Sequence, residues 1–166
     1  MNCEKQLLLI MRHAESQNPA LFEQDFDRTL TPLGAEQAKH IAQQIVAQKI
    51  SVDKAVISPS TRTLETWNIL SKTLPPSIQL SFDKRLYQAS LEVMLDVIYD
   101  NASDAGSLLI LAHCPAVREA ASHLSGRVLD FATADVAVLT PRHKSIQECI
   151  YTPHQFDLLQ TIRSHG

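Results

Sequence analysis

The chain has 166 residues, the size of one ordinary domain, and 45% of them are apolar, enough to bury a core without disulfides or a structural metal. With 15 Lys and Arg against 18 Asp and Glu the formal net charge is -3, which excludes a global basic field for nucleic acid and opposes disorder. The longest apolar runs, LLLIM at 7–11 and LLILA at 108–112, fall far short of the roughly 20 residues that cross a bilayer, so no membrane association is expected. The start MNCEKQ has no net positive charge and too brief an apolar run for a secretory leader, which makes the cytoplasm the expected location. Cysteines at 3, 114 and 149 form neither a paired framework nor a CxxC site, and their odd number leaves at least one thiol free within a single chain. Nothing in the sequence calls for an oligomer, and a monomer is expected.

QLLLIM at 6–11 reads as a buried strand ended by Arg12 and His13. The connection that follows is long, carries Asn18, Pro19 and the FDR of 26–28, and so reads as a segment that shapes a surface or a site. Thr31-Pro32 then starts a helix, the hydroxyl capping and the proline at the first helical position, with Ala35, Ala38, Ile41 and Ile45 at the spacing of one packed face. AVI at 55–57 is a second strand, and Ser60 or Thr61 caps a helix that runs to Leu74 before Pro75-Pro76. A short strand over 78–82, a helix from about 90 to 99 and a central strand SLLILAH at 107–113 follow. Pro115 opens a further helix that Gly126 ends. From 134 onward VAVLTP and SIQECIY read as strands around a turn at 141–144, and FDLLQTI at 156–162 reads as a last strand. The order predicts a single domain over 1–166, a three-layer α/β/α arrangement with a mostly parallel, mixed central sheet.

Polar residues fall where such a sheet binds ligands, outside the carboxyl ends of its strands. Arg12 and His13 end the first strand, Ser58 to Arg62 end the second and begin a helix, and His113 ends the central one. Two guanidiniums, two imidazoles and the uncapped amides at two helix starts would converge on one edge, a set suited to a phosphoryl group. Residue by residue the reading is plainer: an arginine after a strand is usually a surface charge, and DKR at 83–85 reads as a solvated turn. Trp67, Phe82 and Phe131 read as packing residues.

LLLIMRHAES at 7–16 resembles the signature of the histidine phosphatase, or phosphoglycerate-mutase-like, superfamily. DFDRTLTPLGAEQA at 25–38, VISPSTRTLETW at 56–67 and LLILAHCPAVREAASHLSG at 108–126 are similar to further segments of its small SixA-type phosphohistidine phosphatases, so the resemblance runs over roughly residues 6–140. The resemblance implies a phosphoglycerate-mutase-like fold, His13 as nucleophile, Arg12, Arg62 and His113 as the rest of the phosphate pocket, and no cofactor or metal. It also implies a substrate that is a phosphohistidine-bearing protein, such as a phosphotransfer domain, dephosphorylated through a phosphorylated His13. Protonated His113 would donate one more hydrogen bond to the phosphoryl group.

Three positions depart from the family's GHNPG segment, with Ala112, Cys114 and Ala116 in place of its glycine, asparagine and last glycine. Cys114 is therefore expected to alter one side of the pocket, and Asn18 and Ser60 are further candidates for shaping it. Cys114 also suggests a cysteine phosphatase, but Arg118 follows it too closely for that class. Two alternatives stand beside the phosphohistidine reading: a small-molecule phosphomonoesterase of the same superfamily, with Asp83 or Glu92 as proton donor, and a noncatalytic phosphate-binding or protein-interaction module. No GxxxxGK or GxGxxG segment is present, and two arginines beside the two histidines oppose a bound cation.

Overall fold

Strand β1 (Leu7–Arg12) alternates its side chains between two apolar layers, Leu8 and Ile10 entering one core and Leu9 and Met11 the other. That is the signature of a strand covered on both faces. The computed structural model describes residues 4–165, and Cys3 lies outside them. The elements after β1 are α1 (Pro32–Ala47), β2 (Lys54–Ile57), α2 (Thr61–Leu70), β3 (Gln79–Phe82), α3 (Leu91–Asn101), β4 (Ser107–Ala112), α4 (Ala116–Ser125), β5 (Val136–Pro141), α5 (Ile146–Cys149) and β6 (Phe156–Ile162).

They form one six-stranded sheet in the order β3-β2-β4-β1-β5-β6. The first four strands run parallel, while β5 lies antiparallel to both β1 and β6. Ala38, Ile41 and Ile45 of α1 and Trp67 and Leu70 of α2 cover one face. Met94 and Ile98 of α3, Val117, Ala120 and Leu124 of α4, and Ile146 of α5 cover the other. All six residues of β4 are buried, each large apolar side chain contributing roughly 1.5–3 kcal/mol by leaving water. The layers and the mixed, largely parallel sheet are those expected from the order of elements. Among the described residues no helix is long and apolar enough to cross a membrane.

Three local readings are corrected. SIQECIY does not pair as a strand: Ser145 accepts a hydrogen bond from the Glu148 amide, and this Ser-x-x-Glu start turns 146–149 into the short α5 that buries Ile146 and Cys149. Helix α2 stops at Leu70 rather than Leu74, because a turn at 71–73 brings Leu74 back into the core as an isolated apolar residue. Phe82 is half exposed on the edge strand β3, unlike Trp67 and Phe131, which are buried as expected. The DKR turn holds a 3-10 helix from Lys84 to Leu86, with Arg85 paired to Asp83 and Asp100.

Thr31 caps α1 by accepting from the Gly34 amide, and Pro32 stands in its first turn. A β-carbon on Gly34 would run into the backbone of Glu15, so the absence of one lets α1 dock against the chain just after His13. Gly34→Ala should therefore destabilise the protein by about 1–3 kcal/mol, although helix propensity alone favours alanine. A lower urea midpoint checks this, and an unchanged or raised midpoint would contradict the close docking.

Candidate active site

Pairing of β1 with β4 sets Arg12 beside Ala112, and the His13 amide extends the ladder to the Ala112 carbonyl at 3.0 Å. His13 and His113 therefore leave the sheet side by side, their rings 5.3 Å apart between centroids. Arg62, in the first turn of α2, reaches the same place from the end of β2, donating from Nε to His13 Nε2 at 3.3 Å. Neither α2 nor α4 has its first turn capped by a side-chain hydrogen bond.

His13 Nδ1 lies 2.7 Å from the Ala14 carbonyl. A carbonyl only accepts, so Nδ1 carries the ring proton and Nε2 keeps its lone pair. Burial, aided by the charges of Arg62, Arg12 and Arg28 and opposed by the Ala14 bond, lowers the His13 pKa to about 4. Burial, then the charges of His13 and Arg62, lowers that of His113 to about 3. Both rings are thus neutral near pH 7, the state in which His113 has a single ring N–H to donate. His113 Nε2 shares a 2.8 Å hydrogen bond with Ser58 Oγ, while its Nδ1 is buried with no partner, as is Nε of Arg12. Arg12 Nη1 is held by the Phe131 carbonyl at 2.9 Å.

These four residues line one cleft of about 670 Å³ together with Cys114, Pro115, Glu15, Ser16, Asp25, Arg28, Tyr87, Gln88, Ala89 and Thr133. Cys114 is half-buried, and burial pushes its thiol up, away from the thiolate a cysteine nucleophile needs. Asn18 and Ser60 are not among the lining. Asn18 is exposed and spends its side chain on the Ala20 amide, capping a 3-10 turn. Ser60 is buried and bonded to Thr63. Asp83 and Glu92 do not line the cleft either; the Arg85 hydrogen bonds hold Asp83 below the usual carboxylate range.

Sequence reasoning missed Asp25, Arg28, Tyr87 and Ser58. The long connection folds back so that Arg28 donates to the Gln17 carbonyl, Ser16 Oγ and Asp25 Oδ1. Asp25 Oδ2 accepts from Arg62 Nη2 at 3.0 Å and from the Tyr87 hydroxyl at 2.9 Å, and the Asp25 carbonyl accepts from Arg62 Nη1. Burial pushes the Asp25 carboxyl up, but the hydrogen bonds from Arg28, Tyr87 and Arg62 outweigh it and hold the group far below the usual carboxylate range. For Asp25 and Arg28 the DFDR at 25–28 was the available signal. Among the described residues no group of three or more His, Cys, Asp or Glu is placed to hold a metal ion.

A family model described as the histidine phosphatase superfamily (branch 1) matches residues 8–100. The mitochondrial serine/threonine-protein phosphatase PGAM5 of Rattus norvegicus is 37% identical over 76 residues, 46% of this chain and 26% of the relative. The matched stretch thus spans about a quarter of that relative's length. Among solved structures, the fold is similar to SixA from Nakamurella multipartitia, with a TM-score of 0.83 at 21% identity over 97% of both chains. It is also similar to the protein histidine phosphatase SixA complexed with tungstate, with a TM-score of 0.79 at 19% identity over 96% of this chain and 97% of that one.

Both imidazoles bind protons more readily in the unfolded chain, at the usual 6.5, than in the fold. Their contribution to stability is intact above pH 6.5 and is lost as the pH falls from 6.5 toward 4, by on the order of 1 kcal/mol per pH unit for each ring. Urea unfolding at about pH 7 and about pH 5 should show this loss, and His113→Asn should carry about half of the wild-type slope. An equal slope in the two proteins would mean that His113 is not buried as a neutral ring.

Proposed function

The chain belongs to branch 1 of the histidine phosphatase superfamily, and from that premise we propose that it is a phosphohistidine phosphatase acting on a protein through a phosphorylated His13. The observation that carries the reading is the state of the His13 ring: Nδ1–H is tied to Ala14, and Nε2 presents its lone pair to a cleft where the Arg62 Nε–H already points at it. Arg12 and His113, each with a buried ring or guanidinium nitrogen that has no protein partner, line the same cleft.

In the first step the hydrogen bond from Arg62 Nε–H passes from His13 Nε2 to a phosphoryl oxygen, and the freed Nε2 lone pair forms a bond to phosphorus while the bond to the leaving group breaks, its electron pair departing with that group. Charge on the equatorial oxygens meets the guanidiniums of Arg12 and Arg62, placed before the reaction begins. Water then forms a P–O bond, the P–N bond to His13 breaks, and the ring is restored. No cofactor or metal is required by this sequence. Asp25, held ionised, has no proton for an alkoxide, and Asp83 and Glu92 are outside the cleft. That favours a leaving group able to depart without receiving a proton in the transition state, as a protonated imidazole can. The likeness to SixA structures across nearly the full chain supports the same substrate class.

Similarity to PGAM5, described as a serine/threonine-protein phosphatase, favours a second reading in which a protein phosphoserine or phosphothreonine is the substrate. Rapid quench with a phosphohistidine protein, a phosphoserine peptide and a panel of small phosphate esters, followed by mass spectrometry without acid, separates the two. Phosphate should appear transiently on His13, fastest from phosphohistidine, and His13→Ala should lose the adduct while remaining folded. Preference for the phosphoserine peptide would move the assignment to the second reading; turnover with no adduct would overturn the His13 mechanism.

A further inference from the structure

A carboxylate is an unexpected occupant of a cleft that gathers three arginines. Asp25 is nonetheless among them, its side chain 43% exposed and lining the same cleft as His13. Oδ2 accepts from Arg62 and Tyr87, and Oδ1 accepts from Arg28 alone. A carboxylate has about four lone-pair sites, so Oδ1 has one acceptor position left. The Arg62 guanidinium that donates to Asp25 Oδ2 is the one whose Nε faces the His13 lone pair, so a single guanidinium links this carboxylate to the nucleophile. Beside it Tyr87 presents an aromatic ring, set edge-on against His113 at 5.6 Å and against Phe26 at 5.0 Å. An anion and an aromatic wall at the mouth of a phosphate site are a pair of groups that attract a flat cation.

We propose that Asp25 is a specificity-determining residue, its carboxylate accepting the N–H of a substrate imidazole whose other nitrogen bears the phosphoryl group. The proposal rests on the phosphatase reading above and deepens it, because it names the N-phosphoryl imidazolium as the form selected. In that form the remote ring nitrogen holds a proton and the ring is positively charged. When His13 Nε2 bonds to phosphorus, the P–N bond of the substrate breaks, its electron pair stays on the departing nitrogen, and the ring leaves neutral with its N–H still on Asp25. No proton has to be delivered during the step. The hydrogen bonds that keep Asp25 ionised suit it to accept this N–H and unsuit it to protonate an alkoxide. The leaving group of a phosphate ester carries no cationic ring N–H, so the carboxylate meets only the like charge of its phosphoryl oxygens, which disfavours it.

Asp25→Asn tests the assignment, with phosphoimidazole and p-nitrophenyl phosphate as paired substrates. The aryl leaving group departs as a stable anion and makes no use of an N–H acceptor. In the variant kcat/KM for phosphoimidazole should fall at least about tenfold further than kcat/KM for the aryl ester, and Asp25→Glu should recover most of the lost ratio. If Asp25 serves only to hold Arg62, both substrates should lose equally in Asp25→Asn, and the proposal is overturned. A wild-type protein that hydrolysed the aryl ester but not phosphoimidazole would overturn the phosphohistidine reading instead. Circular dichroism of each variant establishes that a loss reflects the site, and should either variant unfold, Tyr87→Phe, which removes one of the donors to Oδ2 and so leaves the carboxylate a stronger acceptor, gives the ratio in a folded protein: a shift toward phosphoimidazole supports the proposal, and no shift or a shift away from it overturns it.

Discussion

The hydrogen bond from His13 Nδ1–H to the Ala14 carbonyl decides which ring nitrogen keeps its lone pair, and every other group in the cleft is arranged about that nitrogen. The His13 amide is held in the ladder with the Ala112 carbonyl. Ala14 is itself pinned, its amide donating to Thr66 of α2, and Glu15 is held by Gln37 of α1. Both helices on one face of the sheet thus fix the backbone that fixes the imidazole. Loosening either would free the ring to turn and so exchange the lone pair for an N–H.

Charge is balanced as closely as orientation. Arg12, Arg28 and Arg62 surround two neutral imidazoles, and their positive field, added to burial, keeps His13 unprotonated and nucleophilic near pH 7. Without Asp25 the same three guanidiniums would repel one another in a partly desolvated space. Asp25 joins two of them, and Arg12 is steadied separately by the Phe131 carbonyl. The segment carrying that carbonyl is closed by buried Asp135, which accepts from the Ala132 amide, from Arg163 and from the Ser164 amide after β6. Residues widely spread along the sequence therefore set where one positive charge stands.

How much of this was legible in the sequence follows from the range of the interactions. Arg12, His13, Arg62 and His113 could be gathered because each follows or caps a short apolar run, and strands of a parallel sheet deliver their carboxyl ends to one edge. Ser60 and Asn18 could not be placed, since short polar side chains that suit a phosphate also suit a nearby backbone or hydroxyl group, and here the local partner wins. Asp25, Arg28 and Tyr87 meet only because a long connection folds back on α2 and on the turn before α3, an outcome of tertiary packing that periodicity does not encode. The short α5 hid for another reason: Ile146, Cys149 and Ile150 carry helical spacing over only a single turn, too short a run for periodicity to stand out, and the Ser145 cap marks where that turn begins.

The strand order has a consequence for how the chain acquires its site. Strands β1 and β2 supply the ends from which His13 and Arg62 project, yet they are not neighbours: β4 lies between them and pairs with both. Until the buried run Ser107–Ala112 threads into that gap, β1 and β2 have unpaired edges, and the imidazole and guanidinium have no fixed separation. During synthesis the amino-terminal half emerges with most of the chemistry and none of the geometry. Over that interval its apolar strands are open to pairing with other chains. Insertion of β4 closes this exposure and brings in His113 in the same event, so the cleft is completed only when those strand edges are covered.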